Sequence, residues 1–197
     1  MPGQCPMNSS GSDNDRTGAK MVVRAAEIAD APDIARVQVD TWRTQYRGLV
    51  PDAFLDGASY EERTQRWTRG LTQAETQQCA YVAQEADGTI VGFATGGPNR
   101  DGDPEYAGEL YAIYILAAHQ GRGIGRRLVR AVAAHLATHG LHSMLVWVLR
   151  ANPSCRFYAA LGGHAVRQRP IEFGGLTHDE LGYGWTDTTD LLSRAGG

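Results

Sequence analysis

The stretch His119-Gln-Gly-Arg-Gly-Ile-Gly-Arg-Arg127 lies between two segments of opposite character. Ahead of it, Glu109-Leu-Tyr-Ala-Ile-Tyr-Ile-Leu116 is apolar on both faces after its first residue, the pattern of a central strand. Behind it, residues 123–139 set Ile124, Leu128, Val132 and Leu136 on one helical stripe and leave Arg126, Arg127 and Arg130 off it. Gly121, Gly123 and Gly125 remove side chains where strand passes to helix, so backbone N–H groups can approach a ligand closely. The first four N–H groups of a helix lack internal partners and carry partial positive charge. An anion with several oxygens, above all a pyrophosphate, suits such a turn, and Arg122, Arg126 and Arg127 add cations there. The turn does not fit GxGxxG, because the last glycine would fall on Arg126, and Gly-Lys-[Ser/Thr] occurs nowhere. A glycine-rich turn with no ligand is the plain alternative, but three glycines at a helix start lower stability in a way packing alone does not require.

Reading outward, residues 143–149 form a second doubly apolar strand. Strand, helix and strand in that order imply a right-handed crossover and a parallel pair. Asn152 and Pro153 open a short helix, Gly162-Gly163 closes it, and strands over 165–173 and 181–185 follow, joined by a turn at Gly174-Gly175. Upstream, 80–84 and 89–95 read as strands joined by an Asp87-Gly88 hairpin turn. Before them come a strand at 22–25, a helix capped by Asp30 and broken at Gly48 and Pro51, and a second helix over 59–71. The order is β-α-α-β-β-β-α-β-α-β-β, an α+β fold with a mixed sheet.

A length of 197 residues fits one domain over 21–190. Residues 1–20, rich in Gly, Ser, Asn and Asp and without a basic start followed by an apolar run, read as a disordered tail, not a secretory signal. A formal charge of −3 argues against a general nucleic-acid or membrane binder, and no apolar run approaches the ~20 residues a span requires. Cys5, Cys79 and Cys155 are few and widely spaced, which fits a reducing, cytoplasmic setting and gives no zinc ribbon. His135, His139 and His142 have no nearby carboxylate, so no metal is expected.

Gln120-x-x-Gly123-x-Gly125 resembles the [Arg/Gln]-x-x-Gly-x-[Gly/Ala] motif of the GNAT superfamily of N-acetyltransferases, together with the strand before it, the strand ending at Asn152 and the helix containing Phe157-Tyr158. The likeness covers residues 22–185. It implies a mostly antiparallel sheet of six to seven strands around a central, splayed parallel pair, flanked by about four helices. It implies an acyltransferase that moves acetyl from acetyl-CoA to an amine-bearing small molecule or peptide, with a homodimer also compatible. The diphosphate would be held by Gln120, Gly121, Arg122, Gly123, Ile124, Gly125 and Arg126. The pantetheine arm would pair with backbone near Ile113 and Ile115 and meet Asn152. One departure is Leu161-Gly162-Gly163, where the family usually has Leu-Gly-Phe.

The resemblance also assigns roles, each with a simpler alternative. Tyr158 would protonate the departing thiolate, or it is a core tyrosine. Glu109 stands where some members carry the general base, or it is a solvated strand end. Asn152 touches the pantetheine arm or simply caps its helix. Trp42 and Tyr46, one turn apart, line the acceptor side or pack in the core. Asp101, Asp103, Glu105 and Glu109 make an acidic loop that attracts a cationic amine or is merely polar. An acyl-CoA-binding sensor without turnover, or acetylation of a protein N-terminus or lysine, are the alternative functions.

Overall fold

Residues 21–193 are described by a computed structural model, and the expected tail at 1–20 lies outside them. The chain enters with β1 (Val22–Ala25), then runs through α1 (Ala31–Gln45), the short α2 (Asp52–Asp56) and α3 (Tyr60–Gln73). A meander follows: β2 (Cys79–Gln84), β3 (Ile90–Pro98) and β4 (Gly108–Ile115). Then come α4 (Ile124–Thr138), β5 (Met144–Leu149), α5 (Cys155–Ala160), β6 (His164–Phe173), β7 (Leu176–Trp185) and α6 (Thr189–Ser193). The seven strands form one sheet in the order β1-β2-β3-β4-β5-β7-β6, antiparallel except for β4 against β5. No described helix is long and apolar enough to cross a membrane.

The anticipated stripe of α4 is fully engaged, with Ile124, Leu128, Val132 and Leu136 each at most 2% exposed. They pack on Ala94, Leu110, Val146 and Val148 on one face of the sheet. Each such side chain contributes about 1.5–3 kcal/mol of burial. The other face is covered by α1 and α3, where Ile34 and Val37 meet Val82, Phe93 and Trp67. Close approach of α4 depends on Gly96: a Cβ there would lie 2.5 Å from Val132 Cγ1 and 2.8 Å from the Glu109 carbonyl oxygen.

One irregularity organises the site. Consecutive Thr95 and Gly96 of β3 pair with Ala112 and Leu110 of β4, so Tyr111 is an extra residue on β4. Such a bulge bends its strand. β4 pairs with β5 only at Gly108↔Met144 and Glu109↔Leu145, before the bulge. Beyond it the two strands part, and the expected splay has a local cause.

The structure departs from the sequence reading in several places. α2 and α6 are too short to show a helical period. β7 starts at Leu176, five residues earlier than expected, because Gly174 and Gly175, at φ +62° and +79°, make a two-residue hairpin turn that lets pairing begin at Phe173↔Leu176. Asp30 precedes α1 but makes no side-chain cap. Its carboxylate instead accepts from Arg24 Nη1 and Nη2 at 2.7 and 2.8 Å and from the Glu27 N–H at 2.8 Å. At Gly163 the aromatic usual in the family is replaced from a distance: a Cβ there would lie 2.6 Å from the Trp185 indole, whose Nε1 donates to the Leu161 carbonyl at 3.1 Å.

Candidate active site

The three glycines of the 119–127 turn serve two purposes. Gly121 and Gly123 hold left-handed φ values of +72° and +75°, which cost an L-residue about 1–2 kcal/mol. Gly125 is instead kept bare by α5, since a Cβ would meet the Phe157 ring at 2.9 Å. The first backbone N–H to find its partner in α4 belongs to Arg127, 3.2 Å from the Gly123 carbonyl, so those of Ile124, Gly125 and Arg126 are left for a guest.

These groups border a cleft of about 450 Å³ that also includes Ile113, Ile115, Gln120, Phe157 and Tyr158. The Gln120 amide donates to the Ile115 carbonyl at 3.0 Å, which ties the turn to the strand end. Of the three arginines expected to supply cations, Arg126 alone borders the cleft. Arg122 turns away to Glu85 at 3.3 Å and His119 at 3.2 Å. Arg127 donates to the Met21 carbonyl at 2.9 Å and ties α4 to the start of β1. Both placements share a cause: the Glu85 carboxylate and the Met21 carbonyl come from other parts of the chain, and sequence spacing around the turn does not display them.

A second cavity of about 180 Å³ occupies the gap between β4 and β5 on the α1 side. Tyr111, Tyr114, Trp147, Asn152, Phe173 and Glu180 border it, together with Trp42 and Tyr46. Ile113 and Tyr158 border both cavities, so they mark where two guests would meet. Asn152 is 6% exposed, and its Oδ1 accepts from the Ser154 N–H at 2.8 Å. It makes an Asx turn ahead of α5, whose N-cap is Ser154, and borders the gap at once. Trp42 both borders this cavity and packs in the core. It is 8% exposed and stacks among Tyr46, Phe54, Tyr114 and Phe173 at centroid distances of 5.5–6.5 Å.

Burial first, then the nearby Tyr114 and Cys155, hold the Tyr158 phenol above its ordinary value. Burial does the same at Tyr46 and Tyr114. All three hydroxyls therefore stay protonated at neutral pH.

Glu109 is placed differently from its expected role. It is 1% exposed and borders neither cavity. Arg100 holds it through the backbone N–H at 3.0 Å, through Nε at 3.1 Å and through Nη2. The acidic loop is also compensated: Asp101 pairs with Arg169, while Asp103 and Glu105 pair with Arg167. Among the bordering residues that the sequence reading did not assign to the site are Tyr111, Tyr114, Trp147, Phe173 and Glu180. Tyr114 gave only a parity signal, since along a strand it lies on the other face from Ile113 and Ile115. Glu180 gave no signal, since β7 was read as beginning one residue after it.

Comparison with known proteins agrees with this geometry. The model of the acetyltransferase (GNAT) family matches residues 36–162. YuaI of Bacillus subtilis strain 168, an uncharacterized N-acetyltransferase, is 39% identical over 171 residues, covering 87% of this chain and 96% of YuaI. The L-methionine sulfoximine/L-methionine sulfone acetyltransferase of Salmonella typhimurium strain LT2 is 27% identical over 161 residues, or 78% of this chain and 88% of the relative. YncA from Salmonella typhimurium, solved with its cofactor acetyl-CoA, shares the fold at a TM-score of 0.63 and 22% identity, covering 90% of this chain and 97% of that one. The glycine turn at the head of α4, the splayed strands and these matches together make this chain an acyltransferase of the GNAT family.

Proposed function

We propose that the protein transfers acetyl from acetyl-CoA to a primary amine by direct attack in a ternary complex, within one domain spanning residues 21–190. The observation that carries this reading is continuity: the unpaired N–H groups of α4, the gap opened by the Tyr111 bulge, and Tyr158 at the junction of two cavities. The main chain from Gly121 to Arg126, with the Arg126 guanidinium, suits the diphosphate. The edge of β4 at Ile113 and Ile115, with Asn152 across the gap, suits the pantetheine amides. The thioester supplies the activated carbonyl, and N–H groups near Ile115 stabilise the oxyanion. Joint positioning of both substrates contributes much of the rate.

In this reading the ammonium first releases a proton to solvent; after attack Tyr158 gives its proton to the departing sulfur and regains one from the acylated nitrogen. A raised phenol is a weak acid, but burial strengthens the sulfur base in the same sense. The half-buried Cys79 thiol is pushed up to about 11, chiefly by desolvation. Glu109 has no part in this reading, because Arg100 occupies its carboxylate and it borders neither of the two cavities. The Salmonella relative named for acetylating L-methionine sulfoximine and sulfone supports a small amine as acceptor. The three scattered cysteines support a reducing, cytoplasmic setting.

The test is a thermal-shift titration with coenzyme A, followed by thiol release from acetyl-CoA with amines, aminoglycosides and peptides. Coenzyme A at a hundred times its Kd should add about 2.7 kcal/mol of stability. No shift would overturn the reading, and a shift without thiol release from any acceptor would leave an acyl-CoA-binding sensor.

A further inference from the structure

The gap cavity contains one carboxylate, Glu180, and its surroundings say what it is for. The residue is 8% exposed. Its Oε2 accepts from Arg169 Nε at 3.1 Å, while Oε1 has no hydrogen-bond partner among the described residues. That oxygen is not one of the buried unpartnered atoms, so it stays accessible from the gap, where a donating guest can reach it. Arg169 does not neutralise it fully. That guanidinium also pairs with Asp101 and lies over the Trp147 ring at 3.9 Å. Among the residues bordering the cavity Glu180 is the one carboxylate, and no cationic side chain borders it. The rest of the wall is aromatic, formed by Trp42, Tyr46, Tyr114 and Phe173; Arg63 already lies over the Trp42 ring at 4.6 Å, and ring faces of this kind favour a cation or an apolar body.

We propose that Glu180 is the acceptor's cation anchor, and that the acceptor is a compact primary amine with one positive charge and an apolar remainder of amino-acid size. This deepens the acetyl-transfer reading and rests on it for the identity of the reaction, but the anchor itself is a binding claim. A cavity of about 180 Å³ suits such a guest, and a polyamine would find no second free carboxylate in it. Arg169 is a positioning residue: it fixes Glu180 through one nitrogen and is itself fixed by Asp101 and the Trp147 face.

The test uses the full chain with coenzyme A present, and benzylamine and L-leucinamide as probes. Quenching of tryptophan fluorescence reports binding, and thiol release from acetyl-CoA reports turnover. Benzylamine should bind, and benzyl alcohol of the same shape should bind at least about tenfold more weakly, as expected for loss of a charged hydrogen bond. E180Q should weaken both amines about tenfold or more and raise their KM, leaving the KM for acetyl-CoA unchanged. E180D, which keeps the charge, should recover part of the loss. R169K should raise the KM for amine more than it lowers kcat, and a loss of melting temperature alone would assign Arg169 a merely structural role. If neither amine binds, or if E180Q binds and turns over amine as the parent does, the anchor is wrong even where acetyl transfer is real. If amine binding depends on Glu180 but no thiol is released, the anchor stands and the acetyl-transfer reading fails.

Discussion

Tyr158 combines two properties that seldom meet on the surface of a protein: it is 5% exposed, and it borders both cavities. Its Phe157 and Tyr183 neighbours, at centroid distances of 5.3 and 5.9 Å, hold the ring on either side. Removing the hydroxyl therefore removes little packing. Y158F should lower kcat by about a hundredfold, the low end for loss of a general acid, and change the KM for acetyl-CoA less than twofold. An unchanged kcat in a steady-state assay would take Tyr158 out of the reaction. Because burial raises this phenol, its ionisation should impose no alkaline limb on kcat between pH 7 and 10; a decline there that vanishes in Y158F would show that the phenol is not raised, while keeping its role as the acid. Cys155 offers no competing nucleophile. Burial raises its thiol, and its Sγ donates weakly to the Leu149 and Arg150 carbonyls at 3.7 and 3.8 Å.

At the scale of elements, the junction of α4 and α5 determines whether the diphosphate site keeps its shape. G123A keeps the N–H but forces an alanine to φ +75°. It should destabilise the fold by about 1 kcal/mol and weaken coenzyme A several-fold in calorimetry. G125V should do more harm for a different reason: its side chain must displace the Phe157 ring and Ile115 Cδ1, which a Cβ alone would meet at 2.9 and 3.3 Å. Overpacking of this kind costs about 1–3 kcal/mol. Urea midpoints and coenzyme A titrations on the two variants separate backbone strain from displacement of α5. The glycine turn was legible because a three-residue pattern before a periodic helix is a local signal. The departure of Arg122 and Arg127 from it was not, because Glu85 and Met21 come from distant parts of the chain.

Across the whole molecule, β1 is joined to the α1 side by one buried ion pair. The Arg24 hydrogen bond is the largest influence on Asp30 and, against its desolvation, holds its carboxyl below the ordinary value. A depressed folded-state value means the stabilisation is present above the unfolded carboxylate value of about 3.9 and is lost as pH falls through the folded one. D30N should therefore destabilise the protein by about 1–2 kcal/mol at pH 7, and the gap from the parent should close on titration from about pH 4 downward. Denaturant midpoints across that range check both the sign and the window. A constant gap would place the effect of Asp30 in its backbone contact with Glu27 instead of in the ion pair.

The sequence by itself determined what depends on near neighbours: the stripe of α4, the glycine turn at its head, the doubly apolar strands and the order of the larger elements. Periodicity and turn chemistry act within a few residues, so they are readable without coordinates. It also placed Tyr158 correctly within its helix. The tertiary structure alone decided which carboxylate faces the gap. Glu109 and Glu180 are equally plain glutamates in sequence. The Tyr111 bulge and the register Leu149↔Glu180 bring one to a cavity wall, while Arg100 closes over the other. Register and ion pairing are settled by partners 9 to 68 residues away, and that is information no local pattern carries.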